Sequence, residues 1–256
     1  MTSEFADFAL ELAAVARAET LPRWREGTIA EDKGENSFDP VTEADREGER
    51  AMRKLIADKY PDHGISGEEF GETAGTSALT WSLDPVDGTR SFMCRLPTWT
   101  TLIGFLDGST PLVGVIDAPV LGETYLGSDG SAWILANEDR LPLRTSGCTS
   151  IADARLSTTD PYLFADVRPF EQLQQRAKVT RFGHDGYGYA RLAAGTLDLI
   201  IETGLKPHDY HALIPVVRGA GGHFGDWHGG DEYGEGKVIA AATRELYEEA
   251  VALLSE

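Results

Sequence analysis

The chain has 256 residues, of which 41% are hydrophobic, so it can bury a sizeable core in one large domain or in two closely packed halves. Its 42 acidic and 23 basic residues give a formal net charge of −19, which repels nucleic-acid backbones and anionic lipid headgroups and argues against both as partners. No stretch approaches the roughly 20 apolar residues of a membrane span, and the two cysteines lack a CxxC spacing, so we expect a soluble, cytoplasmic protein with free thiols.

The first part of the chain predicts two helices followed by short strands. Apolar residues at helical spacing predict a helix over residues 4–18, and a polar loop over residues 31–40 follows it. Thr42 then precedes a second helix that ends near Tyr60 and Pro61. Asp-Gly and Gly-Ser turns separate the next apolar segments, which predict an antiparallel sheet. These segments lie around residue 65 and over residues 81–83, 101–106, 112–116, 123–126 and 132–135.

From about Ile151 the pattern changes to alternating strands and helices, which indicates an α/β half. Strands are predicted near residues 154–157, 179–182 and 197–201, with helices after residue 169 and from residues 186 and 210. Pro215 predicts that the last of these helices is bent or has a short first segment. We therefore assign residues 1–147 to an α+β half that carries most candidate ligands and residues 148–256 to an α/β half, with the site between them.

The run Asp84-Pro85-Val86-Asp87-Gly88-Thr89 is the strongest candidate for a metal site. It follows an apolar strand, its proline fixes one backbone dihedral, and its glycine permits an unusual one. The carboxylates of Asp84 and Asp87 and the carbonyl of Val86 could therefore face one hard cation, and Mg²⁺ prefers such oxygen ligands. The alternative is an Asp-rich turn that only caps a helix.

Three further segments place acidic residues where ligands commonly lie. Glu68, in Gly67-Glu68-Glu69, follows the end of a strand, Asp45 stands at the spacing of a capping box begun by Thr42, and Asp209 precedes an apolar helix. Capping is an alternative function for Asp45 and for Asp209. Nearby histidines could suggest zinc, but the oxygen-rich set suits a hard ion better.

Taken in this order, the four segments resemble the inositol monophosphatase family over nearly the whole chain. The resemblance implies an α/β fold of the inositol monophosphatase or sugar phosphatase type, a five-layer αβαβα sandwich, and a homodimer. It also implies two or three Mg²⁺ ions held by Glu68, Asp84, Val86, Asp87 and Asp209. The implied catalytic residues, which orient or deprotonate the attacking water, are Asp45, Glu68 and Thr89. Asp87, Gly88 and Thr89 are expected to contact the phosphate of the substrate.

The second half resembles the family's substrate-facing loops at residues 182–189 and 201–205. Their acidic residues Asp185 and Glu202 could pair with a cationic amine of the substrate. Arg95 could neutralise the substrate phosphate, contact it from a neighbouring subunit, or lie on the acidic surface.

Residues 95–103, 157–161 and 206–215 resemble the histidinol-phosphate phosphatase branch of the family, and His208 stands where inositol-type members have tryptophan. We therefore expect a magnesium-dependent phosphatase of histidine biosynthesis that acts on a small phosphate monoester, L-histidinol phosphate. An inositol-1-monophosphatase, a broader sugar or nucleotide phosphatase, and a non-catalytic metal- or phosphate-binding protein are the alternatives.

Overall fold

The structure is a computed structural model that describes residues 2–27, 31–32 and 40–254. Most of the polar loop predicted over residues 31–40 lies outside the described residues. The helices are α1 (Thr2–Glu26), α2 (Glu43–Lys59), α3 (Thr89–Met93), α4 (Arg168–Arg176), α5 (Asp185–Ala193), α6 (Pro207–Tyr210), α7 (Leu213–Gly219) and α8 (Arg244–Leu254). The strands of the first half are β1 (Glu31–Asp32), β2 (Pro40–Val41), β3 (Gly64–Gly67), β4 (Gly71–Thr73), β5 (Leu79–Asp87), β6 (Thr100–Asp107), β7 (Thr110–Ala118), β8 (Glu123–Ser128), β9 (Ser131–Ala136) and β10 (Asp139–Pro142). Those of the second half are β11 (Arg155–Thr158), β12 (Val179–Phe182), β13 (Leu199–Glu202), β14 (His223–Asp226) and β15 (Val238–Ala241).

The first half forms an eight-stranded sheet in the order β10-β9-β8-β7-β6-β5-β3-β4. Every neighbouring pair is antiparallel except β3 and β5, which run parallel. The prediction of a fully antiparallel sheet is therefore wrong at this pair. The reason is that β4 forms a hairpin with β3 at the sheet edge, so the chain returns on the other side of β3 in the same direction.

Helix α1 is longer than the helix predicted over residues 4–18, because it continues through Pro22 to Glu26. Proline removes a backbone donor and crowds the preceding turn, which would normally end a helix. Here Leu21 and Trp24 pack against a buried cluster that includes Val86 and Trp99, and this packing stabilises the extra turns.

The capping box predicted at the start of α2 is confirmed. Thr42 Oγ1 accepts a hydrogen bond from the amide of Ala44 at 3.1 Å, and Asp45 Oδ2 accepts one from the amide of Thr42 at 2.9 Å. Two amides without partners inside the helix are thereby satisfied. The helix start also fixes the side chain of Asp45, which is buried.

The second half forms a five-stranded sheet in the order β12-β11-β13-β15-β14. Strand β11 is parallel to β12 and β13, whereas β15 is antiparallel to β13 and β14. The sequence reasoning predicted the first three of these strands but missed β14, β15 and helix α8. The assignment of separate halves at residue 147 stays a prediction.

The five layers follow from which helices pack on which sheet. Helices α1 and α2 cover one face of the eight-stranded sheet, and α5 and α7 lie between the two sheets. Helices α4 and α8 cover the outer face of the five-stranded sheet. The predicted αβαβα sandwich is confirmed. Because both faces of the central strands are covered, β6 and β7 are largely continuous buried runs rather than alternating ones.

The segment after residue 206 is broken into α6 and α7 at His211 and Ala212. Pro215 has no amide hydrogen to donate to the carbonyl of His211, and its ring crowds that carbonyl. The prediction of a short first segment is thus confirmed. Within the described part of the chain, no helix combines the length and the apolar character that crossing a membrane needs.

Candidate active site

A cavity of about 330 Å³ lies where four strands end. Its walls come from the carboxyl ends of β3, β5, β11 and β13 and from the starts of α3, α5 and α6. Ligand sites in α/β proteins commonly lie at such strand ends, where backbone groups and helix N-termini converge. The cavity therefore draws on both halves of the chain.

The first acidic group in the cavity consists of Asp84, Asp87 and Asp209. One carboxylate oxygen of each lies within 4.8 Å of the others. Burial raises the pKa of Asp84 and Asp87 well above the usual range, and neighbouring carboxylates raise these pKa values further. Burial also raises the pKa of Asp209 to about 6. Without a cation, these three groups cannot all be ionised at low cost.

Short-range and long-range contacts orient the carboxylates of Asp84 and Asp87. Asp84 Oδ1 accepts a hydrogen bond from the amide of Val86 at 3.0 Å, and the pairing of β5 with β6 shifts register between Asp84 and Asp87. Asp87 Oδ2 accepts hydrogen bonds from Thr100 Oγ1 at 2.9 Å and from the amide of Gly186 at 2.6 Å. The bulge turns the side chains of Asp84 and Asp87 toward the cavity, and the amide of Gly186 in α5 holds the carboxylate of Asp87.

Asp209 is held by the start of α6. Its Oδ2 accepts a hydrogen bond from the amide of Lys206 at 2.7 Å, so Asp209 is the third residue of the helix rather than its N-cap. The alternative in which Asp209 is the N-cap is therefore wrong, because Lys206 occupies that position. Capping still fixes the carboxylate, and its other oxygen, Oδ1, lies 3.5 Å from His208 Nε2.

The second acidic group consists of Asp45, Glu68 and Glu69, whose ligand atoms also lie within 4.8 Å of one another. Asp45 is 1% exposed, and burial raises its pKa to about 7 while the charges of Glu68 and Glu69 add to the effect. The motif Gly67-Glu68-Glu69 predicted a ligand at Glu68 only, so Glu69 was missed. Its position next to Glu68 at a strand end could have indicated that Glu69 is a second candidate ligand.

Thr89, Gly88 and Val86 form the turn between β5 and α3. Gly88 has a φ of 83°, a left-handed conformation that favours glycine. Thr89 Oγ1 donates a hydrogen bond to the carbonyl of Val86 at 3.2 Å, and all three residues line the cavity. The structure thus brings the predicted phosphate-contacting residues next to the first acidic group.

Asp185 and Glu202 lie in the cavity wall provided by the second half. Asp185 Oδ2 accepts a hydrogen bond from Ser91 Oγ at 3.3 Å, and burial raises the pKa of Asp185 to about 6. Glu202 is 3% exposed and accepts hydrogen bonds from the amide of Thr159 at 2.6 Å and from Thr158 Oγ1 at 3.1 Å. Burial raises the pKa of Glu202 to about 8.

Arg95 is not brought to the cavity, so the structure does not support the predicted substrate contact within one chain. Its guanidinium donates a hydrogen bond to the carbonyl of Glu26, near the end of α1, at 2.9 Å. A contact from a neighbouring subunit stays a prediction. Arg90, which sequence reasoning missed, lines the cavity instead and forms an ion pair with Asp160 at 3.3 Å. In the sequence, Arg90 directly follows Thr89 of the candidate metal motif, and this position could have indicated that it lies at the site.

The donor set fits a hard divalent cation such as Mg²⁺. Among the described residues, both candidate ligand groups contain only carboxylates, and neither includes a histidine. His211 instead forms a hydrogen bond with Ser82 Oγ at 3.0 Å, and burial lowers its pKa to about 4. Buried carboxylates are normally paired or bound to metals, and oxygen-only sets favour magnesium over zinc. The zinc alternative therefore finds no support in this part of the structure.

Comparisons with known proteins match the whole chain to one family. The family model described as "Inositol monophosphatase family" matches residues 1–256. The chain is 40% identical over 212 residues to "Bifunctional phosphatase IMPL2, chloroplastic" of Arabidopsis thaliana, a match that covers 81% of this chain but only 60% of that relative. It is 31% identical to the histidinol-phosphatase of Chlorobaculum parvum, with 84% of this chain and 83% of that protein covered. The solved structure of an inositol monophosphatase from Zymomonas mobilis superposes with a TM-score of 0.87 at 33% identity, covering 99% of this chain and 98% of the other.

Proposed function

The chain belongs to the inositol monophosphatase family, whose members are metal-dependent phosphatases, and we propose that it hydrolyses L-histidinol phosphate to L-histidinol and phosphate with Mg²⁺. The observation that carries the choice of substrate is a pair of carboxylates, Asp185 and Glu202, that line the same cavity as the first acidic group. The proposal includes a cytoplasmic homodimer that acts in histidine biosynthesis, which the resemblance alone supports.

Hydrolysis of a phosphate monoester requires charge neutralisation and a water molecule aligned with the leaving oxygen. Asp84, Asp87 and Asp209 would hold one cation, and Asp45 and Glu68, with Glu69 beside them, would hold a second. The carbonyl of Val86 would add a neutral oxygen ligand. A bound divalent cation supplies positive charge for the phosphate oxygens and makes a water molecule easier to deprotonate.

Residues of the turn between β5 and α3 would bind and orient the reacting groups. The amides of Gly88 and Thr89 stand at a helix start, where an anionic phosphate oxygen is favoured. Thr89 Oγ1 already donates to the Val86 carbonyl, so its lone pairs can accept a hydrogen bond from the attacking water. Asp45 or Glu68 would take the proton that this water loses.

The organic part of the substrate would occupy the wall that Asp185 and Glu202 share. L-histidinol carries an ammonium group, whereas inositol offers only hydroxyl groups. A buried carboxylate whose pKa is already raised gains from a cationic partner, because the partner offsets the cost of its ionisation. Asp185 accepts a hydrogen bond from Ser91 through Oδ2, so Oδ1 is the better placed to accept from an ammonium. Glu202 already accepts from both Thr158 and Thr159.

The test compares phosphate release from L-histidinol phosphate, inositol 1-phosphate, fructose 1,6-bisphosphate and 3′-phosphoadenosine 5′-phosphate, with magnesium and with a chelator. We expect kcat/KM to be highest for L-histidinol phosphate and to vanish in chelator. Comparable kcat/KM for all four would refute the specific substrate and favour a broad phosphatase. Binding of phosphate without turnover of any ester would favour the non-catalytic alternative.

A charge-removing variant tests the role of Asp185. Asp185→Asn should lower kcat/KM for L-histidinol phosphate by about 10–100-fold, mainly through KM, because one charge-assisted hydrogen bond contributes about 1.5–3 kcal/mol. Turnover of inositol 1-phosphate should change much less. Asp129→Asn is the matched control, since Asp129 is exposed and shares the positive φ of Asp185 (50° against 46°). Equal losses on both substrates would contradict the assigned amine contact.

A further inference from the structure

We propose that Glu49 is a positioning residue for the second acidic group. It would fix the loop that carries Glu68 and Glu69 onto helix α2, which carries Asp45. This inference rests on the proposed function, because it takes the second acidic group for a magnesium site. Neither the resemblance nor the candidate ligand groups assigned a role to Glu49.

Glu49 is buried beneath the loop and bonded directly to its backbone. Its side chain is 0% exposed. Oε2 accepts a hydrogen bond from the amide of Glu69 at 2.7 Å, and Oε1 accepts one from the amide of Phe70 at 3.2 Å. The same carboxylate therefore holds two successive amides immediately after Glu68, and the backbone that carries the candidate ligands cannot move without breaking these bonds.

Helix geometry places Glu49 where it can link the two ligand segments. Asp45, Glu49 and Arg53 are four residues apart along α2 and so share one face of the helix. Arg53 Nε donates to Glu49 Oε1 at 2.6 Å, and its guanidinium also binds the carbonyl of Gly71 and Thr73 Oγ1 on strand β4. The charge of Glu49 is thus balanced within the structure, which leaves Glu49 to hold the loop rather than to bind the cation.

Gly67 shows how closely Glu49 approaches the loop. A Cβ atom added at Gly67 would lie 2.1 Å from Glu49 Oε1 and 2.5 Å from its carboxyl carbon. Only a residue without a side chain can therefore occupy the position just before Glu68 while Glu49 is in place. Gly67 and Glu49 form one contact, and a change at either should release the ligand loop.

Release of the loop should weaken metal binding more than it weakens the fold. Groups that orient ligands typically change metal affinity by about 10–100-fold when they are removed. Glu49→Gln keeps the shape of the side chain, but its amide NH₂ cannot accept from the loop amides or from Arg53. The second acidic group would then lose its fixed spacing, whereas the first group, which is held by β5, α5 and α6, would not.

The experiment titrates the metal-stripped full chain with MgCl₂ in a calorimeter and needs no substrate. The variants are Glu49→Gln, Gly67→Ala and the double variant, and Glu47→Gln is the matched control. Glu47 lies on the same helix with a side chain that is 31% exposed, and it pairs with Arg50 one turn away. The unmodified chain and these four variants are also compared by their melting temperatures in chelator.

We expect each single variant to lower magnesium affinity by about 10–100-fold and the double variant to add little, because both changes break the same contact. Glu47→Gln should leave the affinity unchanged. In assays of phosphate release, the magnesium concentration for half-maximal rate should rise, while KM for the ester at saturating magnesium stays the same. If Glu49→Gln does not fold, Gly67→Ala alone decides the outcome.

A purely structural role for Glu49 would lower the melting temperature in chelator and leave magnesium affinity unchanged, and this result would overturn the inference. Additive losses in the double variant would likewise overturn it. Failure of the proposed function is a separate result, in which the unmodified chain binds magnesium but hydrolyses none of the four phosphate esters. Absence of magnesium binding by the unmodified chain would overturn both.

Discussion

Replacing Asp87 by Asn tests whether the first acidic group is built for a cation, because the substitution should have opposite effects with and without magnesium. The two side chains have the same shape. The amide oxygen of Asn can still accept from Thr100 and Gly186, which leaves the NH₂ group facing Asp84 and Asp209. One negative charge and one cation ligand are thereby removed while the local contacts are kept.

The magnitude follows from the spacing of the carboxylates. At an effective dielectric constant of about 20, two unit charges 4.8 Å apart repel each other by about 3.5 kcal/mol. Protons shared within the group reduce this repulsion, so metal-free Asp87→Asn should be more stable than the unmodified chain by about 1–3 kcal/mol at pH 8. For a chain of this size that corresponds to a rise in melting temperature of about 3–8 °C.

Magnesium should reverse the order of stability. A cation present at about 100 times its dissociation constant stabilises the folded protein by about 2.7 kcal/mol, and the variant should lose most of this gain together with its hydrolytic activity. Thermal unfolding in chelator and in magnesium measures both effects, and circular dichroism checks the fold. A variant that is less stable in chelator, or that gains as much from magnesium as the unmodified chain, would refute the assigned site.

Three further predictions follow from the geometry. The metal-free protein should lose stability as pH rises from about 4 to about 7. Burial raises the pKa of Asp45 to about 7 and that of Asp209 to about 6, so the folded state keeps protons that the unfolded chain releases. Denaturant titrations in chelator measure this dependence, and a rise in stability over that pH range would contradict it. Gly186→Ala should lower magnesium affinity by about 10–100-fold, since the new Cβ would lie 2.6 Å from Asp87 Oδ2, and calorimetry showing an unchanged affinity would mean that the carboxylate can shift without loss. Arg95→Ala should leave kcat and KM nearly unchanged in steady-state assays, because its guanidinium binds the end of α1, whereas a large rise in KM would indicate a contact from the partner subunit.

Much of the candidate metal site was predictable because its geometry is local. The capping box of Asp45 joins residues three apart, and the turn from Asp84 to Thr89 orients its own carboxylates through contacts within a few residues. Motif order then indicated the family, which the comparisons confirm together with the class of metal-dependent phosphatase. The roles of the individual site residues stay predictions.

Contacts between distant segments were not predictable in the same way. Pairing of Glu49 with the amide of Glu69 joins residues 20 apart, and pairing of Asp87 with the amide of Gly186 joins residues 99 apart. Nothing in the local pattern around Glu49 distinguishes it from a solvated helix residue. Its burial results from the packing of α2 on β5 and from the bonds of its carboxylate to the loop between β3 and β4.

The amino-acid sequence by itself determined the segments that carry carboxylates, because periodicity, capping and turn chemistry act over a few residues. The order of these motifs resembles the inositol monophosphatase family, and that resemblance implied the layered fold. Only the tertiary structure decided which of these segments meet. It brought Asp185 and Glu202 into the cavity wall, left Arg95 at the end of α1, and carried that helix beyond Pro22. The physical reason is that sheet pairing and helix packing, which set these long-range positions, depend on the whole set of buried surfaces rather than on any one segment.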